Sequence, residues 1–127
     1  MSNLRFVDDP NGGGAGLAGG SLTLARATVA YGTSMTPDSS QANTLVITAT
    51  DGVAFTINAP TNPATGKQIT FMIRNATGGA LGAATWNAIF KMAAWTQPGT
   101  ATSRSITFVY DGTNWVEISR TPADVAN

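Results

Sequence analysis

The stretch RSITFVYDGTNWVEISR, from Arg104 to Arg120, decides the fold expected for this chain. Val, Ile, Thr, Phe, Tyr and Trp fill both of its arms, and these residues suit the pleated surface of a half-buried strand. The arms meet at Asp111-Gly112-Thr113-Asn114. Asp-Gly between alternating apolar runs is the strongest short-range signal for a hairpin, so the sequence predicts one here.

The register of this hairpin depends on the length of its loop. A two-residue loop would place Phe108 opposite Glu117, whereas a loop of odd length places Phe108 opposite Ile118 and gives one continuous apolar face. Because a slip of one residue moves every side chain to the other face, we expect the hydrophobic pattern to select the odd loop. The side chains expected to point inward are Ile106, Phe108, Tyr110, Val116 and Ile118, and those expected to point outward are Thr107, Trp115, Glu117 and Ser119.

Alternating apolar residues recur through the rest of the chain. Thr44 to Ala59 predicts a second hairpin around Asp51-Gly52, and Lys67 to Ala76 predicts a strand with Ile69, Phe71 and Ile73 inward. Shorter strands are expected within 21–31, where a helix is the competing interpretation, and within 81–87 and 88–93. About eight strands with turn signals every 8 to 12 residues are typical of an all-β domain. We therefore expect an antiparallel β-sandwich, jelly-roll-like, over residues 21–127.

Residues 1–20 have the composition of an arm. Six of the chain's 14 glycines lie between Asn11 and Gly20, and glycine at this density favours a flexible tether. The spacing of Gly14, Gly16 and Gly19 matches a dinucleotide-binding pattern, but no strand followed by a helix surrounds it. The prediction is a flexible, glycine-rich N-terminal arm without a nucleotide site.

Composition argues against several classes of function. The chain of 127 residues has seven basic and seven acidic residues, so no net charge attracts nucleic acid or an anionic membrane. It contains no long apolar run and no apolar N-terminal signal region. Histidine and cysteine are absent, which removes the commonest general base and the commonest metal ligands. We expect a protein without cofactor, metal, membrane or nucleic acid, and not an enzyme.

The apolar content favours a thin core that shares its stability with a partner subunit. A core of this kind is marginal for the length of the chain, and the alternative is a monomer whose threonines and serines coat exposed strands. Trp86 and Trp95 are expected to plug the ends of the core, and the alternative is that an exposed tryptophan stacks on a ligand such as a sugar. Trp115, placed outward by the register argument, is the best candidate for a contact with a partner.

The segments QITFMIRNATGGALGAATW and KMAAWTQPGTATSRSITFVYDGTNWVEISR, and above all the turn YDGTNW followed by EISR, resemble a module of tailed-phage virion proteins. The resemblance covers a little under half of the chain, from Lys67 to Arg120. It implies an all-β domain, often trimeric, displayed on a capsid or a tail fibre, and it implies no catalytic residue.

The function expected from these features is that of a capsid decoration (cement) protein on the virion surface. Its partners would be the major capsid protein and two further copies of itself in a homotrimer, because binding to the assembled shell alone stabilises that shell. The arm residues Leu4, Phe6, Val7 and Leu17 would supply apolar anchors. The alternative is a tail-fibre or receptor-binding tip whose loops at 95–103 and 111–115 meet a host glycan.

Overall fold

A computed structural model describes residues 25–127. The expected arm over 1–20, with Leu4, Phe6, Val7 and Leu17, lies outside the described residues. The described part contains ten strands: β1 Arg26–Thr28, β2 Ser34–Met35, β3 Thr44–Ala49, β4 Phe55–Ile57, β5 Gln68–Asn75, β6 Ala84–Trp86, β7 Phe90–Lys91, β8 Thr102–Tyr110, β9 Trp115–Arg120 and β10 Val125–Ala126.

The strands form two sheets that share one core. The larger sheet has the order β1-β3-β5-β8-β9-β7, with β10 also paired to β8, and the smaller sheet has the order β2-β4-β6. The first six strands alternate between the sheets, and neighbours among them within each sheet are parallel. The chain therefore winds through three stacked turns, as in a short solenoid, and the antiparallel strands β8 and β9 extend the larger sheet beyond them.

The all-β class expected from the sequence is confirmed, whereas the antiparallel arrangement is not. Parallel pairing joins β1, β3 and β5, and it also joins β2, β4 and β6. The hairpin predicted over 44–59 is wrong, because β3 pairs in the larger sheet and β4 in the smaller one. The turn at Asp51-Gly52 carries the chain from one sheet to the other, so the two strands do not pair with each other. Within 25–127 no helix is long and apolar enough to span a membrane.

The core lies between the two sheets and follows the alternation of the strands. On β5 the residues Ile69, Phe71 and Ile73 are fully buried, as predicted, and the residues between them are half-buried. Side chains from both sheets and from the β8–β9 hairpin complete the cluster: Met35, Leu45, Ile47, Phe55, Ile57, Phe90, Ile106, Phe108 and Trp115. Removing this apolar surface from water is the main term that stabilises the fold.

The hairpin of β8 and β9 is present, but its register differs from the predicted one. Tyr110 pairs with Trp115 across a four-residue loop, Phe108 pairs with Glu117, and a bulge follows at Thr107. The bulge absorbs one residue, so the two arms no longer keep a single phase.

The predicted side-chain orientations are confirmed in β8, whereas several of those in β9 are wrong. Ile106 and Phe108 point inward as predicted, and Tyr110 packs against the core. In β9 the predicted phase is wrong: Trp115 is fully buried, Ile118 is 50% exposed, and the carboxylate of Glu117 accepts a hydrogen bond from the amide of Ala93. Val116 shares a row with Val109, on the face opposite to Phe108, so its predicted inward orientation is also wrong.

Candidate functional site

The outer face of the larger sheet carries rows of small, uncharged side chains. One row crosses four strands as Thr44, Thr70, Thr107 and Ser119, and the hydroxyls of Thr70 and Thr107 lie 2.8 Å apart in a hydrogen bond. Cross-strand threonine pairs stabilise such a face without adding charge to its centre. We call this surface the threonine face.

Apolar side chains form the next row of the threonine face. Val46 and Met72 are paired on neighbouring strands, and Thr28 and Ser105 continue the row on either side. Val46 is only 1% exposed although it lies opposite to the core side chains Leu45 and Ile47. Its burial shows that the neighbouring side chains pack closely around it, so the half-buried Met72 offers more apolar surface to a contact than Val46 does.

A second candidate surface is a cavity of about 480 Å³ between β6 and the segment 92–97. Trp86, Phe90, Met92 and Trp95 line it with alanines between them, and the amides of Asn87 and Gln97 are its polar side chains. Among residues 25–127, none of those that line it is charged. This lining suits an uncharged ligand that is apolar on one side. We call it the aromatic pocket.

The indole of Trp86 joins the aromatic pocket to the core. Its ring stands edge-on to Phe90 at 5.2 Å and to Trp95 at 5.3 Å, distances at which aromatic pairs attract. Both tryptophans are half-buried and pack against the buried cluster, as the sequence predicted. The Nε1 of Trp95 donates to the side-chain oxygen of Gln97 at 2.7 Å, whereas the Nε1 of Trp86 is buried without a partner.

An ion pair on β9 holds the wall of the aromatic pocket. The guanidinium of Arg120 binds Glu117 and donates to the carbonyl oxygens of Ala93 and Ala94 at 3.0 and 2.7 Å. Glu117 in turn accepts from the amide of Ala93 at 3.0 Å. The hydrogen bond from Arg120 is the main cause that lowers the pKa of Glu117, so the carboxylate is ionised at neutral pH.

Each acidic side chain in residues 25–127 is engaged in a structural contact. Asp38 accepts from Ser40 and Asn62, Asp51 accepts from Tyr31, and Asp111 accepts from the amides of its own turn. Asp124 pairs with Arg104 at 2.6 Å. Hydrogen bonds lower the pKa of Asp38, Asp111 and Asp124, from Ser40, Asn114 and Arg104 respectively. Carboxylates bound in this way fix turns and corners of the chain.

A strand edge without a neighbour borders the aromatic pocket. β6 is the last strand of the smaller sheet in the described residues. Its bonds to β4 include Phe55 N to Ala83 O and Asn87 N to Ile57 O, each at 3.0 Å. Because alternate peptide groups of a strand point to opposite edges, those of Ala84 and Trp86 point away from β4. Both residues line the pocket.

The structure places Trp115 far from the role predicted for it. Its side chain is fully buried, so the outward orientation is wrong and the indole offers no surface to a partner. The four arm residues remain predictions that the described residues do not test. Three or more metal-ligating side chains do not cluster anywhere in 25–127.

Neither candidate surface was identified from the sequence. The threonine face requires the neighbours of each strand, and the register of parallel strands is not written in the alternation of any one strand. The run AATWNAIFKMAAW, from Ala83 to Trp95, could have indicated the aromatic pocket, because it places two tryptophans among alanines. Comparison of the chain with protein-family models, with curated proteins and with solved structures found no match in any of the three.

Proposed function

We propose that this chain is a structural component of a tailed-phage virion, a decoration protein that binds the assembled shell of the major capsid protein. The threonine face is the observation that carries the proposal. A sheet face with paired hydroxyls and the half-buried, apolar Met72 at its centre suits adhesion to another folded surface.

The charges at the threonine face favour a partner of neutral or acidic character. Arg26 shares the row of Thr44, and Arg74 shares the row of Thr48. No acidic residue occupies β1, β3, β5 or β8. Positive groups around an uncharged centre steer an approaching surface without placing a charge in the buried part of the contact.

A homotrimer on the shell is part of the proposal. Three-fold assembly would cover strand edges that the single chain leaves open. Size-exclusion chromatography with light scattering measures the oligomeric state directly. A trimer at micromolar concentration is expected, and a monomer there would contradict this part of the proposal.

Binding to capsids tests the role of the threonine face. We expect the purified chain to pellet in stoichiometric amount with undecorated capsids of the phage that encodes it. M72R puts bulk and charge at the centre of the face and should lower the capsid-bound fraction at least about tenfold, because a buried unpaired charge opposes binding. T85R, on an exposed strand position of the smaller sheet, is the matched control and should bind normally.

Three further results would support or contradict the proposal. Deletion of residues 1–20 is expected to weaken capsid binding, since the arm would add apolar anchors. If M72R binds capsids as well as the unaltered chain does, the threonine face is not the contact. Binding to host cells in place of capsids would favour the tail-fibre alternative. That alternative places glycan contacts in the loop 111–115, but Trp115 in this loop is fully buried.

A further inference from the structure

We propose that the open edge of β6 and the aromatic pocket together form a binding site for an extended peptide strand of another protein. The peptide would add a fourth strand to the smaller sheet. Its side chains would be apolar at alternate positions, and its pocket-facing residues would be uncharged. This site is separate from the threonine face and does not depend on the capsid role.

The two sheets differ in size. Beyond β5 the larger sheet continues through β8, β9 and β7, whereas the smaller sheet ends at β6 within residues 25–127. The inward side chain of Phe108 on β8 meets the smaller sheet at Trp86, the last residue of β6. Trp86 and Phe90 pack against Phe108, and the pocket lies beside them, between β6 and the segment 92–97.

The outer edge of β6 can form further main-chain hydrogen bonds. The peptide groups of Ala84 and Trp86 provide two N–H donors and two carbonyl acceptors on the side away from β4. An unpaired strand edge is a template for another strand, and peptide recognition by strand addition uses these main-chain bonds for affinity. A stretch of three residues on β6 matches a peptide of about five residues.

The geometry of the sheet also determines which side chains the peptide can carry. In a sheet, residues paired across strands point to the same face. Ala84 and Trp86 point toward the core cluster, so alternate residues of an added strand would enter the pocket against Trp86 and Trp95. The lining has no charge to pair with a charged side chain, and burying one alone is strongly unfavourable. The peptide residues that alternate with the pocket-facing ones would face solvent and can be polar.

Hydrogen bonds already hold the wall of the aromatic pocket in place. Arg120 and Glu117 hold the backbone at Ala93 and Ala94, and Gln97 links Trp95 to the carbonyl of Gly82. A wall fixed by these bonds does not need to be ordered when a peptide binds, which favours affinity.

A titration with model peptides tests the site. The probe is TVTVT with acetyl and amide ends, followed by calorimetry and by the backbone amide signals of the protein in NMR spectra. We expect saturable binding with protection of the Ala84 and Trp86 amides from exchange. The same peptide with N-methyl groups on its three central residues keeps the side chains and loses the main-chain donors, so its affinity should fall at least about tenfold.

Two substitutions at one position provide the matched control on the protein. A84P removes the N–H that faces the open edge, and proline is tolerated where that N–H is outside the ladder. A84G keeps the N–H. Affinity for TVTVT should fall about tenfold in A84P and by less than about threefold in A84G, with W95A weakened through loss of the apolar wall.

The outcomes separate strand addition from other uses of the pocket. Equal binding of the methylated and unmethylated peptides would overturn the proposal, because side chains alone would then explain the affinity. Absence of binding to TVTVT up to millimolar concentration overturns it as well. Saturable binding of maltotetraose, a neutral saccharide, without peptide binding would assign the pocket to a glycan. The capsid assay with M72R is independent of all these results.

Discussion

Trp115 is the largest fully buried side chain in residues 25–127, and its indole Nε1 has no hydrogen-bond partner. The two facts oppose each other in the free energy of unfolding. The apolar surface of the ring stabilises the core, whereas a buried donor without an acceptor costs about 1 to 3 kcal/mol. Substitutions that remove the donor and the ring separately can resolve the two contributions.

We expect W115A to lower the free energy of unfolding by about 3 to 5 kcal/mol, because it leaves a large cavity. W115F should lower it by about 1 kcal/mol or less, because loss of the unpaired N–H offsets the smaller volume. Urea unfolding followed by circular dichroism measures both. W95F, which breaks the bond to Gln97, is the control for loss of a satisfied donor. A loss in W115F equal to that in W115A would contradict the prediction.

The same residue shows what sequence patterning could and could not predict. The pairing of the two arms around Asp111-Gly112 and the inward side chains of β8 followed from alternation. The phase of β9 did not, because the loop has four residues and pairs Tyr110 with Trp115, whereas an odd loop was expected; the bulge at Thr107 shifts the partners only farther along the strand. Nothing in the local sequence marks that bulge. Burying Trp115 and exposing Ile118 removes more apolar area from water than the reverse choice would.

At the scale of the strands, the missing information was which strand each one pairs with. The alternation in Thr44–Ala49 and Phe55–Ile57 predicted two strands with one buried face each, and both exist. A hairpin and a step between two sheets present the same alternation and the same turn signal. The parallel neighbours of β3 lie 18 to 26 residues away in the chain, beyond the reach of local pattern. The aromatic pocket depends on those distant pairings and could not be predicted without them.

Stacking of the turns brings backbone close to backbone at Gly82. A Cβ atom built there would lie 2.3 Å from the carbonyl carbon of Val53, at the corner of the turn below. G82A is therefore expected to lower the free energy of unfolding by about 1 to 3 kcal/mol, since a rigid backbone cannot yield. Thermal unfolding measures the loss.

Gly79 provides the matched control for this substitution. It lies in the same connection, and a Cβ there would meet nothing within 4 Å. G79A should change the free energy of unfolding by less than about 1 kcal/mol. Equal stability of G82A and G79A would mean that the two corners do not approach each other in solution.

At the scale of the whole molecule, four carboxylates with lowered pKa values make stability depend on acid. They are Asp38, Asp111, Glu117 and Asp124. A carboxylate whose pKa is lower in the folded state contributes stability above its ordinary pKa and loses it as the pH falls through the lowered value. Because the ordinary values are 3.8 for aspartate and 4.5 for glutamate, urea midpoints should be constant near neutral pH and decrease below about pH 4. In E117Q the urea midpoint should fall less with acid than it does in the unaltered chain. A midpoint of the unaltered chain that stays unchanged down to pH 2 would contradict the prediction.

At alkaline pH, the stability of the fold depends on the hydroxyl of Tyr31. Burial is the main cause that raises its pKa from 10.0 to about 12, and the hydrogen bond from its hydroxyl to Asp51, 2.8 Å long, adds to the rise. The folded state therefore holds the proton more tightly than the unfolded chain does. Its contribution to stability is complete below pH 10 and is lost as the pH rises toward 12.

The variant Y31F isolates this alkaline contribution. It lacks the titrating hydroxyl but keeps the ring, which packs edge-on against Phe55 at 5.8 Å. The difference in urea midpoint between the unaltered chain and Y31F should be constant up to about pH 9 and should narrow above pH 10. The bond joins Tyr31, which follows β1, to the corner after β3, so this narrowing reports the contact between the first two turns of the stack. A difference that stays constant through pH 11 would show that the hydroxyl does not hold these two turns together.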